Sequence, residues 1–215
     1  MIQALGFGIK TGLDLPGEAL GKYNPRAVWT QRTLPSLAIG YEISVTALQV
    51  LQAMNVIANR GLNVSPRVVE RVLDPASPLP PGEAASERVL SRESAERLVS
   101  ILERSVEEGT GLEAGVAGYP AAGKTGTAQK YDPERHAYVQ DKHLASFAGF
   151  VPSDDPVLSI IVVIDEPRGL YYGGQVAAPV FRAVVGQVLR YLKVPPRSPS
   201  SAGVVTAQLP PGDSE

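Results

Sequence analysis

Cysteine is absent from the 215 residues, so neither a disulfide framework nor a thiolate metal site can form. The absence suits a protein facing an oxidising compartment without requiring one. Histidine occurs only as His136 and His143. With no third ligand in view these predict neither a metal site nor a cofactor, and loop or strand-end surface positions are their default reading. No apolar run reaches the roughly 18 residues of a membrane span, and the N-terminal stretch lacks a signal-peptide pattern. The sequence as it stands therefore predicts no export signal or anchor of its own. Neither charge is in excess: 20 Lys and Arg stand against 22 Asp and Glu, which leaves no electrostatic reason to expect nucleic acid or an anionic membrane as partner. The remaining composition, 44% hydrophobic and 20% charged, is that of a soluble globular protein. The length allows one well-buried core with a small second domain possible.

What is present concentrates in one stretch, Gly118-Tyr119-Pro120-Ala121-Ala122-Gly123-Lys124-Thr125-Gly126-Thr127-Ala128-Gln129-Lys130. From Gly118 to Thr125 it fits the phosphate-loop pattern G-x-x-x-x-G-K-[ST]. From Lys124 to Gly126 it fits the K-T-G of penicillin-recognising serine enzymes. The two readings imply different reactions, nucleotide hydrolysis or acyl transfer, and their surroundings must separate them.

Residues 1–29 are rich in glycine and turns and contain a second Lys-Thr-Gly, Lys10 to Gly12, so the tripeptide alone carries little information. Gly6-x-Gly8 lacks the later glycine and the preceding strand of a dinucleotide site. Thr46 is a helix N-cap with Gln49 completing a capping box. In the helix that follows, Gln49, Gln52, Asn55 and Asn59 form one narrow polar stripe and apolar residues cover the rest, which predicts a core helix ending at Gly61. Residues 64–72 read as a short strand or extended arm, and the proline-rich 74–81 as loop. Ser91 caps a second helix over 92–107, with Ala95, Leu98, Val99, Leu102 and Val106 at helical spacing and Gly109 as its stop.

Three β signals follow, at 124–130, 144–151 and 157–164. The last, Val-Leu-Ser-Ile-Ile-Val-Val-Ile, is an unbroken apolar run that predicts a central strand buried on both faces. Residues 152–156 are too short a link for anything but an antiparallel hairpin. Pro179 opens a final helix with one apolar face. From Pro195 onward the Pro/Ser/Gly composition predicts a disordered tail or linker, placing one domain over 1–196 and a tail over 197–215.

A phosphate loop needs a buried strand before it and a helix directly after it, whose N-terminus holds the phosphates. Before Gly118 the sequence is too glycine-rich for a core strand. After Thr125 come Gly126, Thr127 and, shortly, Pro133, all poor company for a helix. A strand fits instead. In it Lys124 and Gly126 project to one face and Thr125 and Thr127 to the other. Gly126 removes a side chain beside the lysine, so a substrate backbone can lie close. Lys124 supplies positive charge, and the Thr127 amide is placed to donate to a developing oxyanion.

Beyond the tripeptide, five segments in order resemble the C-terminal part of a class B penicillin-binding protein, most closely the division-specific subgroup. They are Phe7-Gly8-Ile9-Lys10-Thr11-Gly12-Leu13-Asp14-Leu15-Pro16-Gly17-Glu18, Ile39-Gly40-Tyr41-Glu42-Ile43-Ser44-Val45-Thr46, Ala122 to Lys130, Ala145-Ser146-Phe147-Ala148-Gly149-Phe150-Val151-Pro152, and Tyr171-Tyr172-Gly173-Gly174-Gln175-Val176-Ala177-Ala178-Pro179-Val180-Phe181. The resemblance implies an α+β fold, an antiparallel sheet with packed helices and the active site between sheet and helical subdomain. It implies that Lys124, Thr125, Gly126 and Thr127 line the sheet side of that cleft, with Thr127 giving an oxyanion amide and a hydroxyl for a substrate or β-lactam carboxylate. The implied reaction is acyl transfer from D-Ala-D-Ala stem peptides through an active serine, for peptidoglycan cross-linking at the septum. The implied setting is the extracytoplasmic face of the plasma membrane, with division proteins as partners.

The family's nucleophile lies in S-x-x-K and its second motif is S-x-N. No serine here has Lys three residues later or Asn two residues later; Ser153-Asp154-Asp155 is the nearest imitation and reads as a turn. The expectation is a C-terminal part of a transpeptidase domain that is inactive without an N-terminal half, exposes a sheet edge and self-associates when alone. The alternative is a non-catalytic interaction remnant of the division machinery. Asp165-Glu166 reads as the cap of a strand end rather than a catalytic pair, and Tyr171 to Gly174 as a site-rim loop or a packed turn.

Overall fold

The computed structural model describes residues 1–69, 86–132 and 134–197. Its strands are β1 (Lys22–Tyr23), β2 (Ile43–Ser44), β3 (Leu62–Val64), β4 (Ser86–Arg88), β5 (Ala122–Asp132), β6 (Ala137–Val151) and β7 (Leu158–Asp165). The α-helices are α1 (Thr33–Ala38), α2 (Ala47–Ala58), α3 (Arg92–Glu107), α4 (Gly173–Val176) and α5 (Ala178–Tyr191). β5, β6 and β7 form one antiparallel sheet in that order; β1 with β2 and β3 with β4 form two small ribbons. No helix among the described residues is long and apolar enough to cross a membrane.

Strand alternation divides the sheet into two faces. Phe147 and Val151 on one face join Phe181, Val185 and Leu189 of α5, with Ala114 of the 3-10 turn Leu112–Ala114. Phe150 and Ala122 on the other face join Ala58 of α2 and Val99 and Leu102 of α3. A helix on each side of an antiparallel sheet is the α+β architecture expected from the sequence.

Local signals account for the helices. At α2 both halves of the capping box are made, Thr46 Oγ1 accepting from the Gln49 N–H and Gln49 Oε1 from the Thr46 N–H. Gly61, at φ +93°, stops the helix in a conformation that side chains resist, and a Cβ there would strike the Leu90 carbonyl. Ser91 caps α3 by accepting from the Ser94 N–H. Half of the polar stripe of α2 is buried: Gln49 and Gln52 lie inside with Val56 and Ala58, whereas Asn55 is half-buried and Asn59 exposed. Gln49 is fully buried and donates through Nε2 to the carbonyls of Ile9 (2.7 Å) and Leu20 (3.0 Å), fastening the glycine-rich N-terminal segment to the helix.

Asp14 performs a similar service: its carboxylate accepts from the N–H groups of Val68 and Val69, both at 2.8 Å. Those amides, Val68 foremost, hold the carboxyl below its usual range. Because the folded value is the lower one, the contact stabilises the docked arm above the ordinary aspartate value of about 3.9 and is lost as pH falls through the folded value. Protection of the Val68 and Val69 amides against hydrogen exchange is therefore expected to begin to weaken below about pH 4 and to be gone only below the lowered folded value, and to be absent at neutral pH in Asp14→Ala.

Two expectations need correction. Among the described residues the 157–164 run is not a central strand: β7 pairs only with β6, and Val157 and Val163 are 51% and 43% exposed. An apolar β-branched run reports that both faces pack, here on α2 and α5, and says nothing about how many strands flank it. At the C-terminus the chain is still ordered past Pro195, since the Arg197 N–H donates to the Gly118 carbonyl (2.8 Å) and its guanidinium pairs with Asp154. The proline-rich 74–81 loop, residues 70–72 of the predicted arm and the tail beyond Arg197 lie outside the described residues.

Candidate functional site

The stretch 118–130 enters the sheet through a turn at Gly118 and becomes β5, so Lys124 sits on a strand, not at the start of a helix. That removes the phosphate-loop reading, which needs helix amides to hold the phosphates. Lys124, Thr125, Gly126 and Thr127 pair with Ala148, Phe147, Ser146 and Ala145 of β6, and no strand lies on the other side of β5 among the described residues.

The unpaired side offers specific groups. Gly126 N, Gly126 O and Ser146 O converge beneath Gly173, so Gly126 turns its N–H and C=O toward β6. Alternation then directs the N–H and C=O of Thr125 and Thr127 to the open edge. Lys124 Nζ lies along that edge, donating to the Thr125 carbonyl and hydroxyl, each at 3.1 Å. The edge thus carries a cation, an outward amide at Thr127 and an exposed Thr127 side chain. Together these can bind an extended peptide with a terminal carboxylate and polarise a carbonyl placed beside the Thr127 N–H.

The two threonines on one face are held from behind. Thr125 Oγ1 lies 2.8 Å from Thr110 Oγ1, and Thr127 Oγ1 accepts from the Gly173 N–H at 3.0 Å. Neither Thr110 nor the Gly173 amide was evident in the sequence. Thr110 follows α3 with no motif around it, and Gly173 stood inside a segment readable as rim or packed turn. Gly126 also differs from expectation: the space left by its missing side chain is taken by Ser146 Oγ, not left open for a ligand.

The remaining candidates are structural. Ser153 is fully buried and its hydroxyl donates to Glu103. Asp165 and Glu166 do not simply cap a strand end: both accept from Lys130 Nζ, at 3.0 and 2.9 Å, across the width of the sheet. Glu166 first, then Asp165, raises the Lys130 pKa, and Lys130 in turn lowers that of Glu166. His143 stacks on Tyr171 with ring centroids 4.1 Å apart, and Tyr171 donates to Tyr172, a bond that raises the Tyr171 pKa. Tyr171 to Gly174 is therefore both a packed turn and the rim beside Thr127.

Comparison with known proteins agrees with this geometry. The model of the penicillin binding protein transpeptidase domain matches residues 1–186. Stage V sporulation protein D of Bacillus subtilis is 37% identical over 91% of this chain and 31% of its own length. The peptidoglycan D,D-transpeptidase FtsI of Escherichia coli is 36% identical over 89% of this chain and 31% of its own. The chain spans about a third of the length of these curated relatives. Among solved structures, penicillin binding protein 3 of Mycobacterium tuberculosis complexed with ampicillin superposes with a TM-score of 0.84 at 32% identity, covering 94% of this chain and 47% of that one.

Proposed function

Because this chain belongs to the penicillin-binding protein transpeptidase family, within its class B, we propose that it forms the sheet-side wall of a serine acyl-transfer site acting on D-Ala-D-Ala stem peptides in septal peptidoglycan synthesis. The observation that carries this reading is the open edge of β5, where Lys124, the Thr127 amide and the Thr127 hydroxyl face one side of a strand that has no neighbour there among the described residues. A stem peptide laid along that edge would have its terminal carboxylate near the lysine and threonine hydroxyl and its scissile carbonyl near the outward amide. The amide stabilises the oxyanion as the carbonyl carbon becomes tetrahedral. β-Lactams would occupy the same edge, as the ampicillin complex of the mycobacterial relative suggests. The septal role rests on the resemblance of the five segments to the division-specific subgroup, and with it the extracytoplasmic location and the division-protein partners.

The acyl-accepting serine is supplied from outside these 215 residues, since none of the serines here stands in S-x-x-K or S-x-N. We take residues 1–196 as the transpeptidase part and 197–215 as a tail whose first residue, Arg197, is fastened to that part. The partner that completes the site would also cover the outer side of β7, an apolar edge strand without a charged residue between Leu158 and Ile164. Joined to the portion carrying S-x-x-K, the chain is expected to be labelled covalently by a fluorescent penicillin, and alone it is expected to remain unlabelled. Failure of the joined protein to label would instead favour a non-catalytic interaction domain.

A further inference from the structure

Thr127 and Thr125 share a face of β5, yet their hydroxyls are differently engaged. A hydroxyl has one proton to donate and two acceptor positions. The Thr125 hydroxyl already has both the Thr110 hydroxyl and the Lys124 ammonium as neighbours. The Thr127 hydroxyl has a single partner among the described residues, the Gly173 N–H, which can only donate. That bond fills an acceptor position and orients the oxygen while leaving the proton without a protein acceptor.

We propose that the backbone N–H of Gly173 is a positioning group that turns the Thr127 hydroxyl proton toward the carboxylate of a ligand on the open edge of β5. The inference rests on the reading given above, which places a carboxylate there. A carboxylate is an acceptor only, so a hydroxyl with its proton free is the complementary partner. Residue 173 can come this close because it has no side chain: a Cβ would run into the carbonyls of Ser146 and Gly126. Gly174 is confined likewise, against the Thr110 carbonyl. The turn entering α4 thus rests directly on the β5–β6 backbone, and its depth sets the position of the donor.

In the complete transpeptidase, acylation by benzylpenicillin and by its methyl ester separates this role from a general loss of structure. Gly173→Ala lifts the turn away from the strand. It is expected to slow acylation by the acid roughly tenfold or more while changing the ester by less than about twofold. Thr127→Val should show the same acid-selective loss, Thr127→Ser should recover most of the acid rate that Thr127→Val loses, and Gly173→Ala with Thr127→Val should be no slower than Thr127→Val alone. Equal losses for acid and ester, losses that multiply in the double variant, or no loss in Gly173→Ala would overturn the proposal. A second readout does not require the alanine variant to fold: hydrogen exchange of the Gly173 amide should rise about tenfold in Thr127→Val and stay at the parent rate in Thr127→Ser. Unchanged exchange in Thr127→Val would also overturn it. If the parent protein itself takes up no penicillin, the acyl-transfer reading fails and this inference fails with it.

Discussion

Thr127→Pro is expected to acylate about a hundred- to a thousand-fold more slowly than Thr127→Val in the complete transpeptidase, the range for losing one oxyanion donor. Both variants lack the hydroxyl, so their ratio isolates the amide. Proline is normally excluded from a sheet because it removes a ladder hydrogen bond, and it is tolerated on an edge strand where the N–H faces outward. The convergence of Gly126 N, Gly126 O and Ser146 O puts Thr127 in that outward-facing register. The proline variant should therefore retain a cooperative thermal transition close to that of Thr127→Val while losing reactivity. A large fall in melting temperature in the proline variant alone would mean that the amide belongs to the ladder and not to the site.

Phe147→Ala is expected to destabilise the fold by about 3–5 kcal/mol, the range for truncating a buried aromatic. That is a large share of a total stability of about 5–15 kcal/mol. The residue is fully buried, its ring centroid is 4.7 Å from that of Phe181, and it stands opposite Thr125 in the sheet register. Its ring is seated among glycines: a Cβ at Gly123, Gly149 or Gly111 would each press on it. Glycines have no side chain with which to close the space the ring would leave, so the cavity should remain and the cost should lie toward the upper end. Urea unfolding of the parent and variant measures it, and a loss below about 1.5 kcal/mol would show that the site collapses after all.

The parts of the fold that were legible in the sequence are those set by near neighbours. The caps at Thr46 and Ser91 fall three residues from the amides they satisfy, and α3 occupies the span its spacing predicted. The strand character of 124–130 was legible because Gly126, Thr127 and Pro133 all oppose a helix. The extent of β6 was not. It begins at Ala137, far ahead of the apolar run at 144, because Ala137, Tyr138 and His143 are held by pairing with Asp132, Tyr131 and Gln129 of the outer part of β5, on either side of a register irregularity, rather than by burial. Helix α1 also escaped notice: Pro35 lies in its first turn, where proline lacks no needed hydrogen bond. At the site, Lys124 to Thr127 are contiguous and could be named from the chain. Their supports could not, since Gly173 lies 46 residues from Thr127 and Thr110 lies 15 from Thr125. Only the folded backbone brings them together.

The ammonium of Lys124, lying along its own strand, has a consequence for encounters between copies of the molecule. An open strand edge is a template on which an identical edge can pair, and a lysine on it is a recognised deterrent. Two molecules approaching through β5 would bring like charges together at the point where their carbonyls and amides would otherwise join. A ligand with a carboxylate meets the opposite situation, because it neutralises the charge as it takes the vacant side. The same side chain therefore repels a second copy of the strand and attracts an anionic peptide, so the edge can stay open without becoming a site of polymerisation.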